Sequence, residues 1–199
     1  TLTYRDILDT LASIGIKTVQ IDEPILVLNP QPVDQAAFEV TYQSLSQASV
    51  DIHLQTYFDS LVHNYSWVTA LPVKGIGIDL VHGSDTLETI KSQGFPESKR
   101  LLAGLVDGRN IWSLDVEKAQ ATLDSLKSVV SEDRLIVSSS CSFLHLPYSL
   151  EPETALAPEV RSALAFATEK TAELKALAQQ DSTALQALAA RRSTFVNNP

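Results

Sequence analysis

The sequence predicts an α/β fold of parallel strands alternating with helices, a partial TIM-type (β/α)8 barrel. Three observations carry this. Short β-branched runs alternate regularly with longer amphipathic stretches, as parallel strands and their crossover helices do. The runs are mostly apolar, as strands covered on both faces are. Each run ends in polar residues, and polar groups at the C-terminal ends of parallel strands mark the active face of a closed barrel. Five such runs are present in the 199 residues, so about three of the eight that a barrel needs are expected to be missing.

The elements follow in order. Residues 1–14 read as a helix with Thr3 as its cap and Ile7, Leu8, Leu11 and Ile14 at helical spacing. Gly15 stops it. The first strand is Lys17 to Ile21, closed by Asp22-Glu23-Pro24, where proline forbids further ladder donation. A helix from Asp34 to Ala48 carries Phe38, Tyr42 and Leu45 on one stripe. The second strand is Ile52 to Tyr57, followed by a short helix over Ser60 to Leu71. The third strand is Gly75 to Val81, and the next helix, Thr86 to Ser92, is broken by Gly94-Phe-Pro96. The fourth strand, Leu101 to Val106, runs into Asp107-Gly-Arg-Asn110. A helix from Val116 to Val130 turns Leu123, Leu126, Val129 and Val130 inward. The fifth strand, Arg134 to Val137, meets Ser138-Ser-Ser-Cys-Ser142. One long alanine-rich helix is expected over Pro158 to Gln179, then a last one over Ser182 to Arg192 and a polar tail, Asn197-Asn198-Pro199.

Composition narrows the function classes. Apolar residues are 44% and charged residues 20%, ordinary for a globular chain. The net charge of −9 argues against nucleic acid or an anionic membrane as partner, since both repel a negative surface. No apolar run approaches the ~18–20 residues that span a bilayer. The first residues mix Arg5, Asp6 and Asp9 with apolar ones, unlike a signal peptide. The single cysteine, Cys141, forbids an internal disulfide and fits a reducing, cytoplasmic compartment. There is no methionine at all, which reads as a piece of a longer chain. Neither a Gly-x-Gly-x-x-Gly turn nor a Gly-x-x-x-x-Gly-Lys-Ser/Thr loop is present, so nucleotide-binding doubly wound folds lose support.

The strand ends hold the candidate site residues. Asp22 and Glu23 are adjacent, so in extended chain only one of them faces the barrel mouth. That one is either a ligand-binding carboxylate or a loop cap. Arg109 offers a bidentate cationic fork for a carboxylate. The alternative is a turn arginine paired with Asp79 or Glu23. Cys141 has His145 four residues on, a spacing that does not specify nucleophile–base contact, and a buried inert thiol is the favoured reading. The four histidines, His53, His63, His82 and His145, are spread along the chain and do not suggest a zinc site. Arg191-Arg192 reads as a solvated helix end.

Several strings together resemble the cobalamin-independent methionine synthases, the 5-methyltetrahydropteroyltriglutamate–homocysteine methyltransferases. They are Val19-Gln-Ile-Asp-Glu-Pro24, Gln55-Thr-Tyr-Phe58, Asp79-Leu-Val-His82, Asp107-Gly-Arg-Asn-Ile-Trp112 and Ser139-Ser-Cys-Ser-Phe-Leu-His145. Arg161-Ser-x-Leu-Ala-Phe-Ala167 and Val196-Asn-Asn-Pro199 extend the likeness over nearly the whole chain. The resemblance implies two face-to-face barrels, with homocysteine and the folate bound between them. This chain would be strands four to eight of the N-terminal barrel. Residues 1–180 would be the C-terminal part of that barrel domain, and residues 181–199 a helix and the start of the inter-domain linker.

The resemblance places the catalytic zinc in the C-terminal barrel, where it holds the homocysteine thiol as thiolate for methyl transfer. The zinc-ligand places, laid onto this chain, hold Gln55, Tyr57, Asp79 and Cys141, so no metal and no other cofactor is expected here. The basic residues for the folate's glutamate tail would lie upstream. No catalytic residue carries over. The residues expected at the substrate wall are Asp22, Glu23, Tyr57, Arg109 and Asn110. The expected partners are the missing strands, the catalytic barrel, and the parent's substrates, 5-methyltetrahydrofolate polyglutamate and homocysteine. The isolated chain is expected to be inactive. An alternative reading is a non-catalytic module that self-associates through its open edges.

Overall fold

The computed structural model describes residues 2–29 and 32–196; Thr1, where the first helix was expected to begin, and the Asn197–Pro199 tail lie outside the described residues. Five parallel strands form one sheet in the order β1-β2-β3-β4-β5, with consecutive strands neighbours throughout. They are β1 Thr18–Asp22, β2 Asp51–Gln55, β3 Gly75–Asp79, β4 Arg100–Val106 and β5 Leu135–Ser139. Sequential parallel neighbours joined by helices are the repeating unit of a (β/α)8 barrel, of which this is a part.

The helices are α1 Leu2–Ser13, α2 Pro32–Leu45, α3 Tyr65–Ala70, α4 Thr86–Gln93 and α5 Val116–Lys127, followed by α6 Pro158–Ala163, α7 Ala167–Gln179 and α8 Ser182–Val196. Gly15 ends α1 at φ 92°, a conformation glycine adopts without a Cβ penalty. Asp115 caps α5 by accepting from the Lys118 amide. One sheet face carries Ile52, Leu54, Ile76, Ile78, Leu101 and Ala103 into the main core. The opposite face carries His53, Gln55 and Leu102 beside Gly75 and Gly77. Gly77 has a packing reason: a Cβ there would stand 1.8 Å from Gln55 Oε1.

Four sequence expectations are corrected. Thr3 lies inside α1, one residue past its start, and so does not cap it. The helix expected over Ser60 to Leu71 shrinks to α3, because the amides of Leu61 and Val62 are taken by Thr86 Oγ1 and Ser60 Oγ. The single helix expected over Pro158 to Gln179 is two. Between α6 and α7 the backbone is extended and pairs with the β4 loop, through Ser113 N–H to Ala163 O, Ala165 N–H to Ile111 O and a Trp112–Leu164 bridge. The alanine-rich composition favours helix, but buried Leu164 and Phe166 anchor the break. The last helix runs past Arg192 to Val196, and it packs on α5, α6 and α7 with Leu185 in the core.

Burial separates the middle of the sheet from its edges. Every residue of β3 is buried, whereas β1 alternates exposed and half-buried residues and all of β5 is half-buried. Ile7 on α1 is 50% and Ile14 just past its end 71% exposed, so the stripe expected there buries little beyond Leu8.

Candidate functional site

The polar strand ends converge on one side of the sheet. β1 places Asp22 at its last position, where it pairs in register with Gln55 of β2. Asp22 accepts from the Tyr57 hydroxyl at 3.1 Å and from the Gln20 amide at 2.7 Å. Burial, followed by the hydrogen bond to Asp22, pushes the Tyr57 hydroxyl up to about 12. Glu23 turns the other way, as adjacent residues of an extended chain must. Its carboxylate accepts from Tyr42 of α2 at 3.0 Å, and burial raises its pKa. The structure therefore brings Asp22 and Tyr57 together and leaves Glu23 in the helical layer. Asp22 and Tyr57 line a cleft of about 160 Å³ with Gln55, Ser138, Cys141 and Ser142.

The β4 turn stands beside this cleft. Asp107 accepts from the Arg109 amide at 2.7 Å and from the Asn110 side-chain amide, whose oxygen in turn accepts from Trp112 N–H. Asn110 therefore serves the turn with both of its polar atoms. The exposed Arg109 pairs with neither Asp79 nor Glu23; its guanidinium carbon lies 5.1 Å from the centroid of the Phe58 ring. Phe58 also meets Tyr57 at 4.5 Å and His145 at 5.6 Å, both edge-on. An aromatic bridge thus joins Asp22–Tyr57 to Arg109. His145 is engaged with this ring, away from a nucleophile–base pairing. Cys141 is 2% exposed, and burial pushes its thiol up to about 11, which leaves it protonated and inert near neutrality.

The four places that match zinc ligands do not fit the metal. Tyr57 is a phenol engaged with Asp22 and Cys141 is the one thiol of the set, short of the several thiolate or imidazole donors a zinc site needs. Gln55 offers only a neutral amide oxygen, a weak donor for zinc beside thiolate and imidazole, and Asp79 is occupied by three backbone amides and an imidazole. Among the described residues no group of three or more His, Cys, Asp or Glu side chains could hold a metal ion.

The sequence reading missed a second polar cluster behind the β4 loop. Lys170 is 1% and Glu173 2% exposed, with Nζ to Oε2 at 4.0 Å. Lys170 donates to Trp112 O, Glu173 accepts from Leu114 N–H at 3.0 Å, and Arg192 donates to Ser113 O at 2.8 Å while facing Asp115 at 3.3 Å. Three consecutive loop residues are thus gripped by α7 and α8, so Arg192 is not a solvated helix end. The i, i+3 spacing of Lys170 and Glu173 was the only available signal, and it reads equally as an exposed pair.

Comparison with known proteins accords with this geometry. The family model described as "Cobalamin-independent synthase, N-terminal domain" matches residues 1–131. The chain belongs to that family. The chain is 40% identical over 205 residues to 5-methyltetrahydropteroyltriglutamate–homocysteine methyltransferase 1 of Oryza sativa subsp. japonica, a match covering 98% of this chain and 27% of that protein. It is 44% identical over 170 residues to the corresponding methyltransferase of Coxiella burnetii (strain CbuG_Q212), covering 85% and 22%. The chain therefore spans about a quarter of the length of the curated relatives it matches. The structure of a B12-independent methionine synthase from Shewanella sp. W3-18-1 in complex with selenomethionine superposes with a TM-score of 0.56 at 18% identity, over 93% of this chain and 55% of that one. This likeness supports the fold.

Proposed function

We propose that this member of the cobalamin-independent synthase family forms part of an enzyme that moves a methyl group from 5-methyltetrahydropteroyltriglutamate to homocysteine. The likeness over 98% of the chain to a methyltransferase of that name supports the reading. In it the chain is the second half of an N-terminal barrel and supplies scaffold and one wall of a substrate space. Asp22, Tyr57 and Arg109 are the wall residues, joined through Phe58. Asn110 supports the turn beneath Arg109, and Glu23, engaged with Tyr42, is outside the wall. The fork of Arg109 suits a carboxylate, which both substrates carry. Metal chemistry belongs to another part of the enzyme in this reading, since the residues here do not fit zinc, and the chain alone is inactive.

The test is alanine substitution at Asp22, Tyr57 and Arg109 in the intact enzyme of which this chain is a part. The expected result is a raised KM for the folate. The wall assignment fails when KM and turnover both stay at the wild-type values. An encoded product of about 80–90 kDa, the size of two barrels and a linker, is the companion expectation.

A further inference from the structure

Asp79 ends β3 and its side chain is fully buried. Its Oδ1 accepts from the amides of Val81 and His82, both at 2.9 Å. Its Oδ2 accepts from the amide of Phe58 at 3.1 Å and lies 3.0 Å from His82 Nδ1. Phe58 sits at φ 88°, in the left-handed region that costs a non-glycine residue ~1–3 kcal/mol and persists only where its surroundings enforce it. The other ring nitrogen, His82 Nε2, stands 3.7 Å from Asp107 Oδ2. Asp107 in turn holds the backbone of Arg109.

Two routes therefore run from one carboxylate toward Arg109, one to its guanidinium and one to its backbone. The first fixes Phe58, whose ring lies against Arg109. The second is a longer contact, His82 Nε2 to Asp107 at 3.7 Å, beyond hydrogen-bond distance, and Asp107 sets the turn carrying Arg109 by accepting from its backbone amide. We propose that Asp79 and His82 are positioning residues that present Arg109 to a carboxylate at the barrel mouth. The identity of that carboxylate rests on the function proposed above; the positioning itself does not.

The experiment uses the whole chain and reads Arg109 directly. With the guanidinium carbon 5.1 Å from the Phe58 centroid, the ring current is expected to displace the NMR signals of the Arg109 side chain from their exposed-arginine positions. Asp79→Asn would set an amide against two donors and risks misfolding, so His82 carries the test. In H82N the side-chain amide replaces Nδ1 and keeps the Asp79 contact but does not reach Asp107. In H82Q the amide reaches toward the place of Nε2. The expected result is that H82N folds, loses the displaced Arg109 signals, and binds L-homocysteine, whose carboxylate is the probe, about fivefold more weakly, the loss of roughly one exposed ion pair. H82Q retains the signals. An H82N protein that keeps the displaced Arg109 signals overturns the proposal. Loss of the signals in H82N with no L-homocysteine binding by the wild-type chain supports the positioning role and counts against the substrate wall.

Discussion

Tyr57 donates a hydrogen bond to Asp22 at 3.1 Å, which adds to the backbone bond from Glu23 N–H to Gln55 O in tying the end of β1 to the end of β2 where the strand-end polar groups gather. Tyr57→Phe removes the donor and leaves the carboxylate with the Gln20 amide. The expected loss is ~1 kcal/mol of unfolding free energy, measured by urea titration. Because Tyr57 is held above the ordinary phenol value, near 12 in the folded chain, its contribution is complete below pH 10 and fades as pH rises toward 12. Ultraviolet titration should show two phenols near 12, Tyr57 and Tyr65, of which Y57F lacks one.

Cys141 should be slow to alkylate. Its thiol is raised from about 9 to about 11, chiefly by burial, so at pH 8 the native thiolate fraction is about a hundredfold below that of the unfolded chain. Iodoacetamide labelling with and without urea measures the ratio. The same shift is a stability term that is present below pH 9 and lost as pH climbs to 11. Equal labelling rates in both states would contradict the buried, inert thiol.

The Lys170–Glu173 pair should depend on both members. Lys170→Met leaves a buried carboxylate without its cation and is expected to cost about 3 kcal/mol, whereas K170M/E173L recovers most of that loss. Burial already raises Glu173, so K170M should be less damaging at pH 5 than at pH 8, because the carboxyl takes up a proton more readily as pH falls. Urea midpoints at the two pH values give the comparison.

The edges of the sheet predict association of the isolated chain. β1 and β5 are each paired on one side among the described residues, and Ile7 of α1 and Ile14 just past its end stand exposed. Open parallel edges with apolar neighbours recruit further strands. Light scattering at micromolar concentration should report a mass above 21.7 kDa that falls when Ile7 and Ile14 are changed to lysine. A monomer at that concentration counts against it.

Much of this architecture was legible in the residues. Alternation of β-branched runs with amphipathic stretches is a local property, and it located all five strands, most of them to within two residues of their ends. The opposite facing of Asp22 and Glu23 followed from the two-residue period of extended chain. The partner of Arg109 did not follow: its alternatives, Asp79 and Glu23, are acids, and the residue it meets is Phe58, 51 positions earlier and turned by a left-handed backbone that no composition rule assigns. The break between α6 and α7 was hidden for the same reason. Alanine-rich chain favours helix locally, and only pairing with the β4 loop makes residues 164–166 extended.

The sequence by itself determined the strand–helix alternation, the polar strand ends and the family likeness, because these rest on periodicity and on ordered short strings. Tertiary structure alone decided which polar groups meet. It buried Lys170 with Glu173, gave Asp79 to three amides and an imidazole, and set Arg109 on an aromatic ring. Those choices depend on which side chains share a small volume after distant segments pack, and a low-dielectric interior then makes each pairing obligatory.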